Sequence, residues 1–100
     1  MIETVTARLS QGQVIGVRDG QVCRFNAIPY ARPPLGELRF RPPATSDWRG
    51  ELDARHPGSV APQLPSRLRD AAGDFAAVAS EDCLHLTLWT PAVDTQRRPV

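Results

Sequence analysis

Residues 25–43 read FNAIPYARPPLGELRFRPP, with Trp48 and Gly50 close behind. Five of these nineteen residues are prolines. Each proline removes a backbone N–H donor and biases the residue before it toward extended geometry. The composition excludes a helix and predicts an irregular covering loop. The loop is also apolar, unlike a solvated linker, and we expect it to lie against other parts of the protein. Its large apolar side chains are Phe25, Ile28, Tyr30, Leu35, Leu38 and Phe40.

Three short runs before this loop have the two-residue period of strands with one buried face. They cover residues 3–10, 13–18 and 22–28, and turns are expected at Gln11-Gly12 and Asp19-Gly20. Asp-Gly readily adopts the positive φ angles of a tight hairpin. The sequence therefore predicts an antiparallel meander. Cys23 and Phe25 share one face of its third strand, where free cysteine is most simply a small core residue.

The remainder of the chain predicts three further elements. Residues 50–54 are suited to a short strand. Residues 66–79 repeat apolar positions at three- and four-residue steps behind Ser66, a residue that caps helices well, and this pattern predicts a short helix. Residues 84–89 alternate strictly and predict a strand that Pro91 follows. Leu84, Leu86 and Leu88 would form its apolar face.

Length and charge limit the classes of function. One hundred residues make one small domain with little core to spare. All twelve basic residues are arginines, and the net charge is +1 without a basic run, so no nucleic-acid partner is expected. We find no cationic segment followed by an apolar core and no run of eighteen apolar residues. We therefore expect no membrane span and a cytoplasmic location, which also argues against pairing of Cys23 with Cys83.

Residues able to perform covalent chemistry are sparse. No serine lies in a G-x-S-x-G sequence, and Ser59 of Gly58-Ser59 is the nearest approach. A serine needs an oriented base to become nucleophilic. The two histidines are His56, which precedes Pro57, and His85, which lies inside the predicted strand. For His85 we favour packing or a backbone partner over a role as general base.

Metal and nucleotide sites are not indicated either. Structural zinc sites bring their ligands in close pairs. Among Cys23, His56, Cys83 and His85, only Cys83 and His85 lie close together in the sequence. The glycines form neither G-x-G-x-x-G nor a Walker loop. We expect no cofactor and no metal.

Several blocks of the sequence resemble one family. They are residues 25–43, DWRGELDA at 47–54, PQ at 62–63 and SEDCLHLTLWTP at 80–91. In this order they resemble the amino-terminal portion of the type-B carboxylesterases, the α/β hydrolases that include the cholinesterases and the para-nitrobenzyl esterases. The resemblance extends from about Gly12 to Pro91. It implies that residues 1–100 form the first part of a larger hydrolase domain: the meander, the covering loop, a short helix and one strand of the central sheet.

The resemblance also implies individual roles. Arg39 of L-R-F would pair with Glu81 of S-E-D-C and tie the covering loop to the start of a central strand. Relatives usually have glycine at Ala27, so a positive φ or a close backbone approach is expected to be altered there. Secreted relatives bridge the cysteine matching Cys83 to one in the preceding loop, but residues 56–82 contain no other cysteine. The catalytic serine, histidine and acid of the family normally come later than residue 100, so no catalytic residue is assigned here.

Two functions from different classes follow. In the first, the chain is the amino-terminal segment of a serine esterase that hydrolyses a small-molecule carboxylic ester through an acyl-enzyme, is inactive alone, and has the remainder of the domain as its partner. In the second, it is a free-standing β-rich interaction module or a non-catalytic remnant of the esterase fold. The apolar face of Leu84, Leu86 and Leu88 needs neighbouring strands that this chain does not contain, which counts against the second function.

Overall fold

The structure is a computed structural model that describes residues 2–64 and 78–100. Its five strands are β1 (Ile2–Leu9), β2 (Gly12–Asp19), β3 (Val22–Pro29), β4 (Glu51–Asp53) and β5 (His85–Thr90). The described residues contain no helix long and apolar enough to cross a membrane. The predicted helix at 66–79 lies outside the described residues, apart from its last two, and of these Ala79 forms a parallel bridge with Val60.

The first three strands form the predicted antiparallel meander. β1 pairs with β2 along its whole length, from Ile2 opposite Asp19 to Leu9 opposite Gly12. The turn between β2 and β3 contains Gly20 at φ +63°, a left-handed conformation that glycine adopts without steric cost. The sheet order is β1-β2-β3-β5, and β4 pairs with β2 outside this path.

β3 pairs with β2 along one edge and with β5 along the other, and its ladder with β5 contains a bulge. The pairing with β2 extends only from Val22 to Arg24. The antiparallel pairing with β5 extends from Cys23 to Pro29, with Phe25 opposite Leu88 and Ile28 opposite Leu86. Two residues of β3, Asn26 and Ala27, therefore oppose one residue of β5, which is the arrangement of a β-bulge.

β4 pairs with the part of β2 that β3 leaves unpaired. It runs parallel to the first half of β2, with Gln13 opposite Glu51 and Ile15 opposite Asp53. Its end connects to both neighbours, because Ala54 donates its N–H to Ile15 O at 2.7 Å and accepts one from Asn26 at 2.7 Å. β4 was predicted as a strand, but the sequence did not indicate its position between β2 and β3.

The core is small and lies on one face of the sheet. It consists of Val14, Cys23, Phe25 and Ala54, all buried. Half-buried Ile28, Trp48, Leu52 and two residues of β1 pack against it. Cys23 and Phe25 share the buried face as predicted. On β5 the core is incompletely covered, since Leu86 and Leu88 are 41% and 43% exposed.

The covering loop is irregular, as predicted, and has one short 3₁₀ turn at Gly36–Leu38. Trp48 packs against the core, and Ala31 is buried. The loop does not cover its other apolar side chains, however. Phe40 is 94% exposed, and Tyr30 and Leu35 are also exposed. The expectation that these side chains lie against other residues is therefore not met within the described part of the chain.

Candidate functional site

The structure brings together the two residues singled out as an ion pair. Arg39 follows the 3₁₀ turn and donates its own N–H back to Gly36 O at 3.2 Å. Its guanidinium Nη1 contacts the Glu81 carboxylate, four residues before β5 begins. The contact therefore spans from the covering loop to the segment that leads into β5. Both side chains are about half exposed, at 50% and 46%, so water screens the pair and limits its contribution to stability to less than about 1 kcal/mol.

The residue after Arg39 has an unusual backbone. Phe40 has φ +61°, a left-handed conformation that costs a residue with a side chain about 1–2 kcal/mol. The Arg39 guanidinium lies 5.2 Å from the centre of the Phe40 ring, within the range of a cation–π interaction. The turn thus presents an uncovered aromatic ring and a charged group side by side.

Trp48 attaches the segment that follows the covering loop to the sheet. Its indole Nε1 donates to Gln13 O at 2.9 Å, and Gln13 N–H donates to Gly50 O at 2.9 Å. A Cβ atom at Gly12 would lie 2.8 Å from the indole nitrogen, closer than atoms can pack, so this contact requires glycine at position 12. The end of the loop is held on the start of β2.

His85 has a backbone partner, as the sequence indicated. Its Nε2 lies 2.7 Å from Ser59 O, so in this geometry Nε2 carries the proton and donates it to the carbonyl. A Cβ atom at Gly58 would lie 2.5 Å from the same nitrogen. The candidate serine and the candidate base therefore meet through a main-chain carbonyl oxygen, and His56 is exposed in the same loop.

Asn26 is a buried polar residue that the sequence analysis missed. Its side-chain Nδ2 donates to Arg55 O at 3.4 Å, next to the backbone bond between Asn26 and Ala54. Together these bonds hold the chain that follows β4 against the bulge. The available signal was an asparagine inside an apolar run, since buried polar groups are almost always hydrogen-bonded.

Ala27 corrects one expectation. The replacement of the family's usual glycine was expected to alter a positive φ here, yet Ala27 has φ +55°. The bulge imposes this conformation because two residues must fit opposite one. Alanine retains the backbone geometry at the cost of local strain.

Two arginine–aspartate pairs account for the shifted pKa values. Arg55 donates from Nε and Nη2 to Asp53 at 2.8 and 3.0 Å. These side-chain bonds, followed by the bond from the Arg55 backbone amide, lower the pKa of Asp53 from 3.8 to about 2. Arg98 likewise lowers the pKa of Asp94 through side-chain hydrogen bonds. Both pairs lie on the surface, and each joins residues that are close in the sequence.

The two cysteines are not paired with each other. Cys23 is a free, buried thiol, and Cys83 is free and half-buried. Within residues 2–64 and 78–100, no group of three histidine, cysteine or acidic side chains is placed to hold a metal ion. The side-chain contacts of Arg39, Trp48, His85 and Asn26 attach loops to the sheet.

Comparison with known proteins places the chain in a family. Residues 3–100 match the carboxylesterase family. The chain is 46% identical to fumonisin B1 esterase of Sphingopyxis macrogoltabida over 81 residues, covering 80% of this chain and 14% of that protein. It is 37% identical to para-nitrobenzyl esterase of Bacillus subtilis over 90 residues, covering 89% of this chain and 18% of that protein.

A solved structure shows a similar fold. A carboxylesterase crystal structure from Geobacillus stearothermophilus superposes with a TM-score of 0.77 at 35% identity, covering 94% of this chain and 18% of that one. The chain therefore spans less than a fifth of the length of each of these three relatives. The resemblance inferred from the sequence blocks is confirmed: the chain belongs to the carboxylesterase family.

Proposed function

We propose that this chain forms the amino-terminal part of a carboxylic-ester hydrolase domain and that it does not catalyse alone. Its role is structural: it supplies the edge meander, strand β5 of the central sheet, and part of the wall around a pocket that later residues complete. Two named relatives are esterases, one of fumonisin B1 and one of para-nitrobenzyl esters. They support a small-molecule carboxylic ester as the substrate class of the complete domain.

One observation supports this proposal above the others. The core face of the sheet ends uncovered at β5, where Leu86 and Leu88 are each about two-fifths exposed beside buried Phe25. An apolar strand at an open sheet edge normally has a neighbour or a cover. A free-standing interaction module would have to leave this edge open, so we favour the hydrolase segment.

The mechanism that we propose for the complete domain is the one that the family resemblance implies. A serine supplied by the remainder of the domain would attack the ester carbonyl, with histidine as base and a carboxylate to orient it, and water would hydrolyse the acyl-enzyme. This chain would contribute by holding the covering loop in place through Arg39–Glu81 and Trp48. Both attachments would act on the shape of the pocket wall, and none of the three residues would touch the substrate.

A chimera tests the proposal. This chain replaces the matching segment of the Bacillus subtilis para-nitrobenzyl esterase, and hydrolysis of a para-nitrophenyl ester is measured. We expect turnover by the chimera and none above a denatured control by the 100-residue chain. Arg39→Ala should lower the chimera's activity or its stability, whereas Arg41→Ala, an exposed arginine two residues away, is the matched control.

Two results would contradict the proposal. Turnover by the 100-residue chain itself would show that catalysis does not need the remainder of the domain. A chimera that folds, as judged by circular dichroism, but hydrolyses nothing would show that this chain is a non-catalytic remnant unable to support the site. Sharp, dispersed amide resonances from a soluble monomeric chain would favour the interaction module.

A further inference from the structure

The His85 side chain connects β5 to an earlier part of the chain. Its ring is half-buried and donates from Nε2 to Ser59 O at 2.7 Å. The next residue, Val60, donates its N–H to Val78 O at 2.9 Å and accepts one from the Ser80 N–H at 2.9 Å. The His85 bond therefore lies beside a residue that pairs with the chain leading into β5.

The segment that leads into β5 also carries the acidic member of the ion pair. Glu81 follows Ser80 directly, and its carboxylate contacts the Arg39 guanidinium. On its other side, the Asp82 N–H donates to the Ser80 hydroxyl at 3.1 Å. A continuous series of contacts thus runs from Arg39 in the covering loop to the ring of His85 on β5.

We propose that His85 is a positioning residue whose bond to Ser59 O fixes the place of the Glu81 carboxylate. The carboxylate in turn holds Arg39, and with it the covering loop. The effect of His85 on ester hydrolysis rests on the proposed function, whereas its coupling to the ion pair is a property of this chain alone.

The packing around the imidazole supports this order of cause and effect. A Cβ atom at Gly58 would lie 2.5 Å from His85 Nε2 and 2.8 Å from the Ala27 Cβ, closer than atoms in contact can lie. Glycine therefore lets the backbone rest directly on the imidazole and on the β3 bulge. Loss of the imidazole would leave the half-buried Ser59 carbonyl without its donor, which costs more than loss of an exposed contact. The half-exposed ion pair is the weaker contact and follows the position that His85 sets.

Amide hydrogen exchange measures the coupling without any need for activity. In the chimera and in the 100-residue chain, His85→Leu should speed exchange of the Val60 and Ser80 amides at least about 5-fold, the worth of one net hydrogen bond. Mass spectrometry of the peptides that contain these amides gives the rates. His85→Gln should restore slow exchange, because the glutamine amide nitrogen can take the place of Nε2 and donate. The Ala54 amide, bonded to Ile15 O at 2.7 Å, is the internal reference and should not change.

Steady-state kinetics of the chimera test the effect on the pocket wall. His85→Leu should lower kcat/KM for the para-nitrophenyl ester about 5-fold, mainly through a higher KM, because the wall shifts while the reacting groups stay in place. His85→Gln should recover most of this loss. In an Arg39→Ala background the effect of His85→Leu should shrink, since the position of Glu81 no longer acts on the loop. His56→Leu, the same substitution at an exposed histidine, is the matched control and should change nothing.

The two proposals fail in different ways. A chimera that hydrolyses nothing overturns the proposed function, and exchange at Val60 and Ser80 still decides the role of His85. An active chimera in which His85→Leu leaves exchange and KM unchanged overturns the role of His85 alone. So does an equal loss in His85→Gln, or a full effect of His85→Leu in the Arg39→Ala background. Should His85→Leu fail to fold by circular dichroism, Gly58→Ala takes its place because the added carbon displaces the ring, and unchanged exchange at Val60 would then overturn the proposal.

Discussion

Replacement of Gly16 by alanine should test the closest approach between β2 and β3. A Cβ atom at this position would lie 2.4 Å from Arg24 O and 2.5 Å from Phe25 Cδ1. Carbon atoms in contact prefer about 3.5–4.0 Å, so the strand would have to move by about 1 Å. One obstacle is backbone, and the other is a ring that is only 3% exposed. Neither can move aside without disturbing the core.

The magnitude follows from two opposing terms. Overpacking a core costs about 1–3 kcal/mol, and we take the upper value because the obstacle includes a main-chain carbonyl. Alanine also restricts the conformations of the unfolded chain, which stabilises the folded state by about 0.5–1 kcal/mol. The net loss for Gly16→Ala is therefore about 2 kcal/mol. Gly20→Ala is the control: its φ is +63° and nothing lies within 4 Å of the added carbon, so it should lose no more than about 1 kcal/mol.

Urea unfolding followed by tryptophan fluorescence measures both losses. With a slope of about 1 kcal/mol per molar urea, Gly16→Ala should lower the midpoint by about 2 M and Gly20→Ala by about 1 M or less. The measurement can be made on the 100-residue chain or on a longer esterase chain that carries it. Equal midpoints, or a greater loss in Gly20→Ala, would refute the argument that close strand approach controls this position.

Three further predictions concern surface pairs and the bulge. A double-mutant cycle on Arg39→Ala and Glu81→Ala should give a coupling energy of about 0.5 kcal/mol, since the pair is half exposed, and strictly additive losses would exclude coupling. The folded pKa of Asp53 lies below its usual value, so the bonds from Arg55 are present above about pH 4 and are lost as the pH falls through about 2. Carboxyl NMR shifts should show this, and Arg55→Gln should return the midpoint to near 4. Ala27→Gly relieves a left-handed alanine and should raise the free energy of unfolding by about 0.5 kcal/mol, whereas a lower urea midpoint would contradict the strain argument.

Local pattern was sufficient to predict the strands. Period-two alternation and the two turns placed β1, β2, β3 and β5 within one or two residues of their observed limits. The burial of Cys23 beside Phe25 followed from the same alternation. These features depend on neighbours in the sequence, and a single chain contains that information.

Features that depend on distant residues were not predictable in the same way. The bulge at Asn26 and Ala27 belongs to the pairing of β3 with β5, a strand distant in the sequence, and no local pattern reports that register. The position of β4 depends on where the pairing of β3 with β2 stops. The exposure of Phe40 could not be read from an apolar sequence, because hydrophobicity indicates a preference for burial and does not identify what covers the residue.

The bulge in β3 also determines which side chains face inward. It adds one residue to β3, and side chains along a strand alternate between faces. Deleting Ala27 would leave two steps between Phe25 and Ile28, equal to the two steps between Leu88 and Leu86, so the ladder would become regular and Ile28 would still face the core. A single-codon loss at this point is therefore expected to remove the bulge and keep the inward face of the strand, and the polar tip between β2 and β3 should also tolerate changes in length. Natural variation in chain length should be found at both positions.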